Sequence, residues 1–154
     1  MHPFFADYLE RLTTLHRDIE RAISGLTPAA LDWTPAPDTN SITVLVTHTA
    51  GAERYWIGDL AAQMSSSRDR EAEFHTKGLN EAALKQRLAQ ADDFARQALD
   101  GLTLADLDTE RRSPRNERTF TVSWALLHAL EHTALHLGHI QLTRQLWEQE
   151  SEGE

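Results

Sequence analysis

Leu127-His128-Ala129-Leu130-Glu131-His132-Thr133-Ala134-Leu135-His136-Leu137-Gly138-His139-Ile140 places four of the chain's eight histidines in one short run. Read as a helix at about 100° per residue, His128, His132, His136 and His139 fall at roughly 0°, 40°, 80° and 20°. They share one face. Two histidines four residues apart can both aim an imidazole nitrogen at a point about 2.0–2.1 Å away, the bond length that a zinc-like metal requires. The stretch therefore predicts a helix that carries a metal site.

Working outward, this last helix is expected from about Thr121 to Trp147. Trp124, Leu127, Leu130, Leu135, Ile140, Leu142 and Leu146 spread widely around it, which predicts the most buried helix of the set. The acidic tail from Glu148 to Glu154 is expected to fray. Before the helix, residues 102–118 form a long polar connection with Arg111, Arg112, Pro114, Arg115 and Arg118. Helix three precedes it. Asn80 is its N-cap, Leu79 and Leu84 occupy staple positions, and Leu84, Leu88, Ala91, Ala95 and Leu99 carry its stripe to Gly101.

Helix two follows Ser41, with Leu45, Ala52, Trp56 and Leu60 at three- and four-residue spacing and His48 on the same stripe. Ser65-Ser66-Ser67 closes it. Pro28, Pro35, Pro37 and Asn40 make residues 26–40 a long connection. Helix one starts at Pro3 and runs through Phe5, Leu9, Leu12, Ile19 and Ile23 to a cap at Gly25. No segment alternates apolar and polar residues as a strand does, and there is no internal repeat. The expected architecture is all-α, an up-down four-helix bundle in a single domain over residues 1–154.

A chain of 154 residues can bury one proper core. Twenty-four acidic residues against 15 basic ones give a formal charge of −9, which opposes binding to nucleic acid or to an anionic membrane surface. The absence of cysteine excludes disulfides, thiolate ligands, iron–sulfur clusters and a cysteine nucleophile. Any thiol that takes part comes from outside. The start, Met1-His2-Pro3-Phe4-Phe5-Ala6-Asp7, has neither the basic region nor the apolar run of a signal peptide, and no stretch reaches the roughly 18 apolar residues of a membrane span. A cytoplasmic location is the expectation.

A catalytic zinc-like site commonly has three protein ligands. The last helix can supply two, and His48, mid-helix on a buried stripe, is the best third. His2, His16 and His75 read as terminal, surface or loop histidines. Two pairs remain open on the last helix. His128 and His132 enclose Glu131 in the order H-x-x-E-H, the pattern of inverted zinc proteases, whereas His132 and His136 lie nearer the middle of the helix. Several buried imidazoles without a metal would each leave polar groups unsatisfied, at about 1–3 kcal/mol apiece.

The chain resembles the DinB-like superfamily of metal-binding four-helix bundles, the DinB/YfiT-like metalloenzymes. The resemblance rests on Leu31-Asp32-Trp33-Thr34-Pro35-Ala36-Pro37, on Ile42-Thr43-Val44-Leu45-Val46-Thr47-His48, and above all on the run from Leu127 to Ile140. It implies one histidine from helix two and two from the last helix: His48, His132 and His136. Where such motifs often continue Gly-Gln-Ile, this chain reads Gly138-His139-Ile140. The resemblance further implies a divalent metal, nickel or zinc, a low-molecular-weight thiol as cosubstrate, a small-molecule substrate and a homodimer.

These readings give an expected function: a metal that binds a thiol, lowers its pKa and directs the thiolate at a small electrophile, an S-transferase. His128, His139 and Glu131 are then pocket or supporting residues, and Arg111, Arg112, Arg115 and Arg118 are candidates to receive a carboxylate on the thiol. The nearest alternative is a metal-dependent hydrolase. Its acidic candidates are weak, because helical phase puts Glu53 about 140° from His48 and Glu131 about 100° from His132. A third reading is a non-catalytic bundle with a closed metal site, His128 or His139 being the fourth ligand, that dimerises through faces such as those of Trp147 or Tyr8. Trp33, Trp56 and Trp124 read as core.

Overall fold

Prolines at helix starts and short polar caps divide the chain into the expected long helices, and the computed structural model describes them over residues 1–153. Helix α1 spans Pro3–Ile23, with Pro3 in its first turn and the His2 side chain accepting from the Phe4 N–H. The proline-rich connection that follows contains a short helix, α2, Pro28–Asp32, started by Thr27 and Pro28. Sequence periodicity is blind to a helix of five residues. Ser41 then caps α3, Ile42–Glu53, by accepting from Val44 N–H. The helix continues as a wider π-turned segment, Arg54–Ala62, ending where Gln63 turns left-handed at φ 55°. Gly58 lies in that segment under the Phe94 ring, where a Cβ would collide.

The chain next forms a strap, residues 63–80, that holds the short α4, Arg70–Phe74. Helix α5, Glu81–Asp100, begins as expected with Asn80 Oδ1 accepting from Ala83 N–H at 2.9 Å. The connection after it is structured rather than loose: a 3₁₀ turn at Leu104–Asp106 precedes two strands, β1, Glu110–Arg112, and β2, Thr119–Thr121. They pair antiparallel with Arg111 opposite Phe120. Three-residue strands are too short to show alternation, so the sequence reading of no strand is corrected here. Thr121 caps α6, Val122–Glu152, which extends through most of the tail expected to fray; Glu154 lies outside the described residues.

Side-chain contacts fix the bundle's layout. Met1 at the start of α1 reaches Asp100 at the end of α5, and Gly25 beyond the end of α1 reaches Glu81 at the start of α5, so these two are antiparallel. Tyr8 bonds Leu126 O near both starts, so α1 and α6 run together. His48 lies by His132 while Trp56 lies by Trp124, which sets α3 antiparallel to α6. The direction order is therefore up, down, down, up. Because α3 and α5 run the same way, the strap must return along the length of the bundle, and this carries α4 past the middle of α3.

The core has two apolar clusters. One joins Phe5, Leu12, Ile57, Leu60, Leu99 and Leu126; the other joins Ile19, Ile23, Leu31, Ile42, Leu84, Leu88 and Ile140. Helix α6 is less buried than its composition suggests. Leu127 is 67% exposed, and Trp124, Leu135, Leu142 and Leu146 are also exposed, which leaves an apolar stripe uncovered along the helix. Trp124 is thus corrected from core to surface. Trp33 and Trp147 pack edge to face against each other, and Tyr8 is buried.

Candidate metal centre

His48 and His132 face each other across the α3–α6 contact, and His136 follows one turn on. Their Nε2 atoms converge: His132 Nε2 lies 3.2 Å from His48 Nε2 and 3.1 Å from His136 Nε2. One ligand atom from each of the three falls within 4.8 Å of the other two. Three nitrogens about 2.05 Å from a tetrahedral ion would stand about 3.4 Å apart, so this spacing is close to that of a ligand set. Hydrogen bonding explains it poorly. A neutral ring nitrogen offers either one N–H or one lone pair, so His132 Nε2 cannot bond linearly to both neighbours. Burial, followed by the charges of neighbouring histidines, pushes His132 down to about 3 and His136 down to about 4. Both are neutral at pH 7, as metal ligands must be.

The support behind His48 was not legible in the sequence. Glu73, buried on α4, places Oε2 3.0 Å from His48 Nδ1. That ring nitrogen can donate to the carboxylate, which leaves the Nε2 lone pair facing the cluster. Arg68 grips the same carboxylate, Nε to Oε1 at 2.5 Å and Nη2 to Oε2 at 2.7 Å. Burial would raise the Glu73 pKa, but the bonds from Arg68 and His48 outweigh it and lower it. Gly51 makes the arrangement possible, because a Cβ there would run into Glu73 Oε1. Phe74 packs against the His48 ring at a distance of 4.8 Å. His132 Nδ1, by contrast, is buried with no protein partner.

The remaining histidines of α6 stay outside the converging group. His128 is stacked on Trp124 at 4.8 Å and meets Trp56 edge-on at 4.6 Å. His139 is exposed, with Nδ1 3.4 Å from His136 Nδ1, and can accept the proton that His136 carries there. Glu131 points to solvent, its side chain 80% exposed and 3.7 Å from His128. The four loop arginines do not gather. Arg111 pairs with Asp106, Arg112 with Glu117, and Arg118 covers Phe120. Only Arg115 joins the centre's surroundings, over the Tyr55 ring that it shares with Arg68.

His16 requires the clearest correction. Read from sequence as a surface or terminal residue, it is 2% exposed and lies in the middle of the bundle. Its Nε2 sits 2.8 Å from both Glu53 oxygens, and its Nδ1 makes an ionic contact with Asp92 at 3.1 Å. Thr133 Oγ1 donates to Glu53 Oε1 at 2.7 Å, so α1, α3, α5 and α6 each contribute one member. Burial would lower the His16 pKa, but the Glu53 charge and the contacts with Asp92 and Glu53 reverse this and raise it to about 10. His16 is therefore an imidazolium. Glu53 points away from His48, as its helical phase requires.

The bundle is that of the DinB-like proteins. A model of the mycothiol S-transferase family matches residues 7–149, and the chain belongs to that family. Solved structures share the fold. A conserved protein from Enterococcus faecalis superposes with a TM-score of 0.75 at 19% identity, covering 95% of this chain and 98% of its own. A DinB-like protein from Bacillus cereus gives 0.72 at 15% identity, covering 90% and 89%. No curated protein matches the chain.

Proposed function

We propose that this protein is a divalent-metal-dependent S-transferase that joins a low-molecular-weight thiol to a small electrophile, with His48, His132 and His136 as the metal ligands. The observation that carries the proposal is the convergence of three Nε2 atoms on one point while His48 Nδ1 is committed to Glu73. Neutral imidazoles suit zinc or nickel. A bound ion of this kind supplies Lewis acidity, which lowers the pKa of a thiol so that thiolate is available at neutral pH. Family membership supports mycothiol or a related thiol as the cosubstrate. The chain has no cysteine of its own to act in its place.

The protein's residues bind and orient. Glu73 and Arg68 fix the ring plane and tautomer of His48, and His139 takes the same part for His136. Trp56, Trp124 and His128 wall the centre on the side toward the start of α6. Hydrolysis finds no comparable support. Glu131 faces solvent, Glu53 is held by His16 and Thr133, and Glu73 is held by Arg68. The partner is a small molecule rather than nucleic acid, in keeping with the charge of −9, and no helix among the described residues is long and apolar enough to cross a membrane. We also propose a homodimer. The exposed stripe of Leu127, Leu135, Leu142 and Leu146 supports a two-fold contact between α6 helices, in place of the faces of Tyr8 and Trp147.

The test is thiol transfer to a panel of electrophiles, measured on metal-loaded wild type, on chelator-treated protein and on His132→Ala. Loss of transfer in the last two is expected. Undiminished transfer in either would contradict the reading.

A further inference from the structure

Behind the strap lies a polar cavity of about 250 Å³ that shares Gly51, Arg68 and Glu73 with the support of His48 but is lined by none of the three clustered histidines. Its floor is the stripe Thr47, Gly51 and Arg54, which centres roughly 100° around α3 from His48. The strap covers one side with Arg68 and Asp69, and α5 closes the other with Arg87 and Gln90.

The polar groups here are unevenly spent. Other buried helical threonines find an acceptor: Thr43 donates to Leu31 O, Thr49 to Leu45 O and Thr133 to Glu53 Oε1. Thr47, only 4% exposed, has no partner for its hydroxyl. Arg54 gives Nη2 to Ser66 O at 2.8 Å and lays its guanidinium on the Phe94 ring, which leaves a buried Nε–H with no acceptor. Arg87 has no ion pair among the described residues. The acids, however, are engaged. Asp69 caps Ala72 N–H at 3.0 Å, and Glu73 is held by Arg68 and His48. What remains is a set of donors, two of them on arginines, in a chain whose net charge is −9.

Donors without acceptors select a ligand rich in acceptor oxygens, and guanidinium groups select negative charge. A space of about 250 Å³ holds several waters and so admits a small oxyanion. We propose that this cavity is a binding site for a small oxyanion, a phosphate or a compact carboxylate, held by Thr47, Arg54 and Arg87. None of His48, His132 and His136 lines it, so its ligand needs no metal there.

Calorimetric titration with inorganic phosphate and, separately, with malonate tests this, with ionic strength held constant by sodium chloride. The proteins are wild type, Thr47→Val, Arg87→Gln and His132→Ala. Arg87 is exposed on α5, so its variant retains the fold even if the buried Thr47 change does not. Saturable one-site binding of either anion is expected, weakened at least tenfold in Arg87→Gln and in folded Thr47→Val, and unchanged in His132→Ala. Binding of phosphate alone identifies the ligand as a phosphate; binding of malonate alone identifies it as a carboxylate. Absence of saturable binding by both anions overturns the proposal. So does binding that survives in Arg87→Gln, or binding that disappears in His132→Ala, which would place the anion on the metal.

Discussion

Glu73 stands directly behind His48, Oε2 to Nδ1 at 3.0 Å, although the two come from different segments joined only through the π-turned end of α3 and the strap. A carboxylate in this position sets the tautomer of a ligating imidazole and raises its basicity. Glu73→Gln keeps the shape but removes the charge and weakens the grip of Arg68. Metal affinity is expected to fall about 10- to 100-fold. Competition with a chromophoric chelator measures it.

Gly51 should matter for the same reason at one remove. A Cβ on Gly51 would collide with Glu73 Oε1, and the Arg68 bonds of 2.5 and 2.7 Å prevent the carboxylate from swinging freely aside. Gly51→Ala is expected to lose about 1–3 kcal/mol of stability. It should also reproduce part of the Glu73→Gln loss in metal affinity. Urea unfolding and the chelator assay together check this, and a variant that is destabilised yet binds metal normally would separate Gly51 from the centre.

The His16–Glu53 pair predicts a loss of stability on the alkaline side. Its folded pKa of about 10 lies above the ordinary value of 6.5, so the folded state retains a proton that the unfolded chain gives up as pH rises. The stabilisation is complete below about pH 6.5 and is lost as pH rises through about 10. Removing one partner of a buried pair costs about 3–5 kcal/mol. His16→Ala is thus expected to unfold at markedly lower urea near pH 7 and to show a flatter decline between pH 7 and 10.5. Equal pH slopes in variant and wild type would show that His16 is not the group responsible.

Part of the histidine cluster was legible: helical phase puts His128, His132, His136 and His139 on one face and His48 on the buried stripe of another helix, but spacing left the pairs His128/His132 and His132/His136 open, and only the family resemblance singled out His48, His132 and His136. The supporting groups were not legible. Glu73 and Arg68 sit on a crossover whose path depends on α3 and α5 running in the same direction, which no local pattern records. His16 has the spacing of an ordinary amphipathic helix, and its partners Glu53 and Asp92 lie on two other helices, so nothing nearby marks it as buried and charged. The π-turned segment and the three-residue strands are shorter than, or identical in composition to, what the periodicity already accommodates. Leu127, Leu135 and Leu142 raised the apparent burial of α6 because hydrophobicity alone does not distinguish a core from an uncovered face.

That uncovered face yields another prediction. If the Leu127–Leu146 stripe packs against its own copy, Leu135→Glu places two like charges near the two-fold axis and should convert a dimer to a monomer with its helical content intact. Sedimentation equilibrium distinguishes the species. A wild type that is monomeric at all concentrations would remove the dimer.

Metal analysis of untagged protein beside His132→Ala decides whether the three imidazoles hold an ion. Near-stoichiometric zinc or nickel in wild type, absent from the variant, is the predicted result. A wild type that carries no metal and takes up neither zinc nor nickel when offered would contradict the account, leaving His48, His132 and His136 as structural residues.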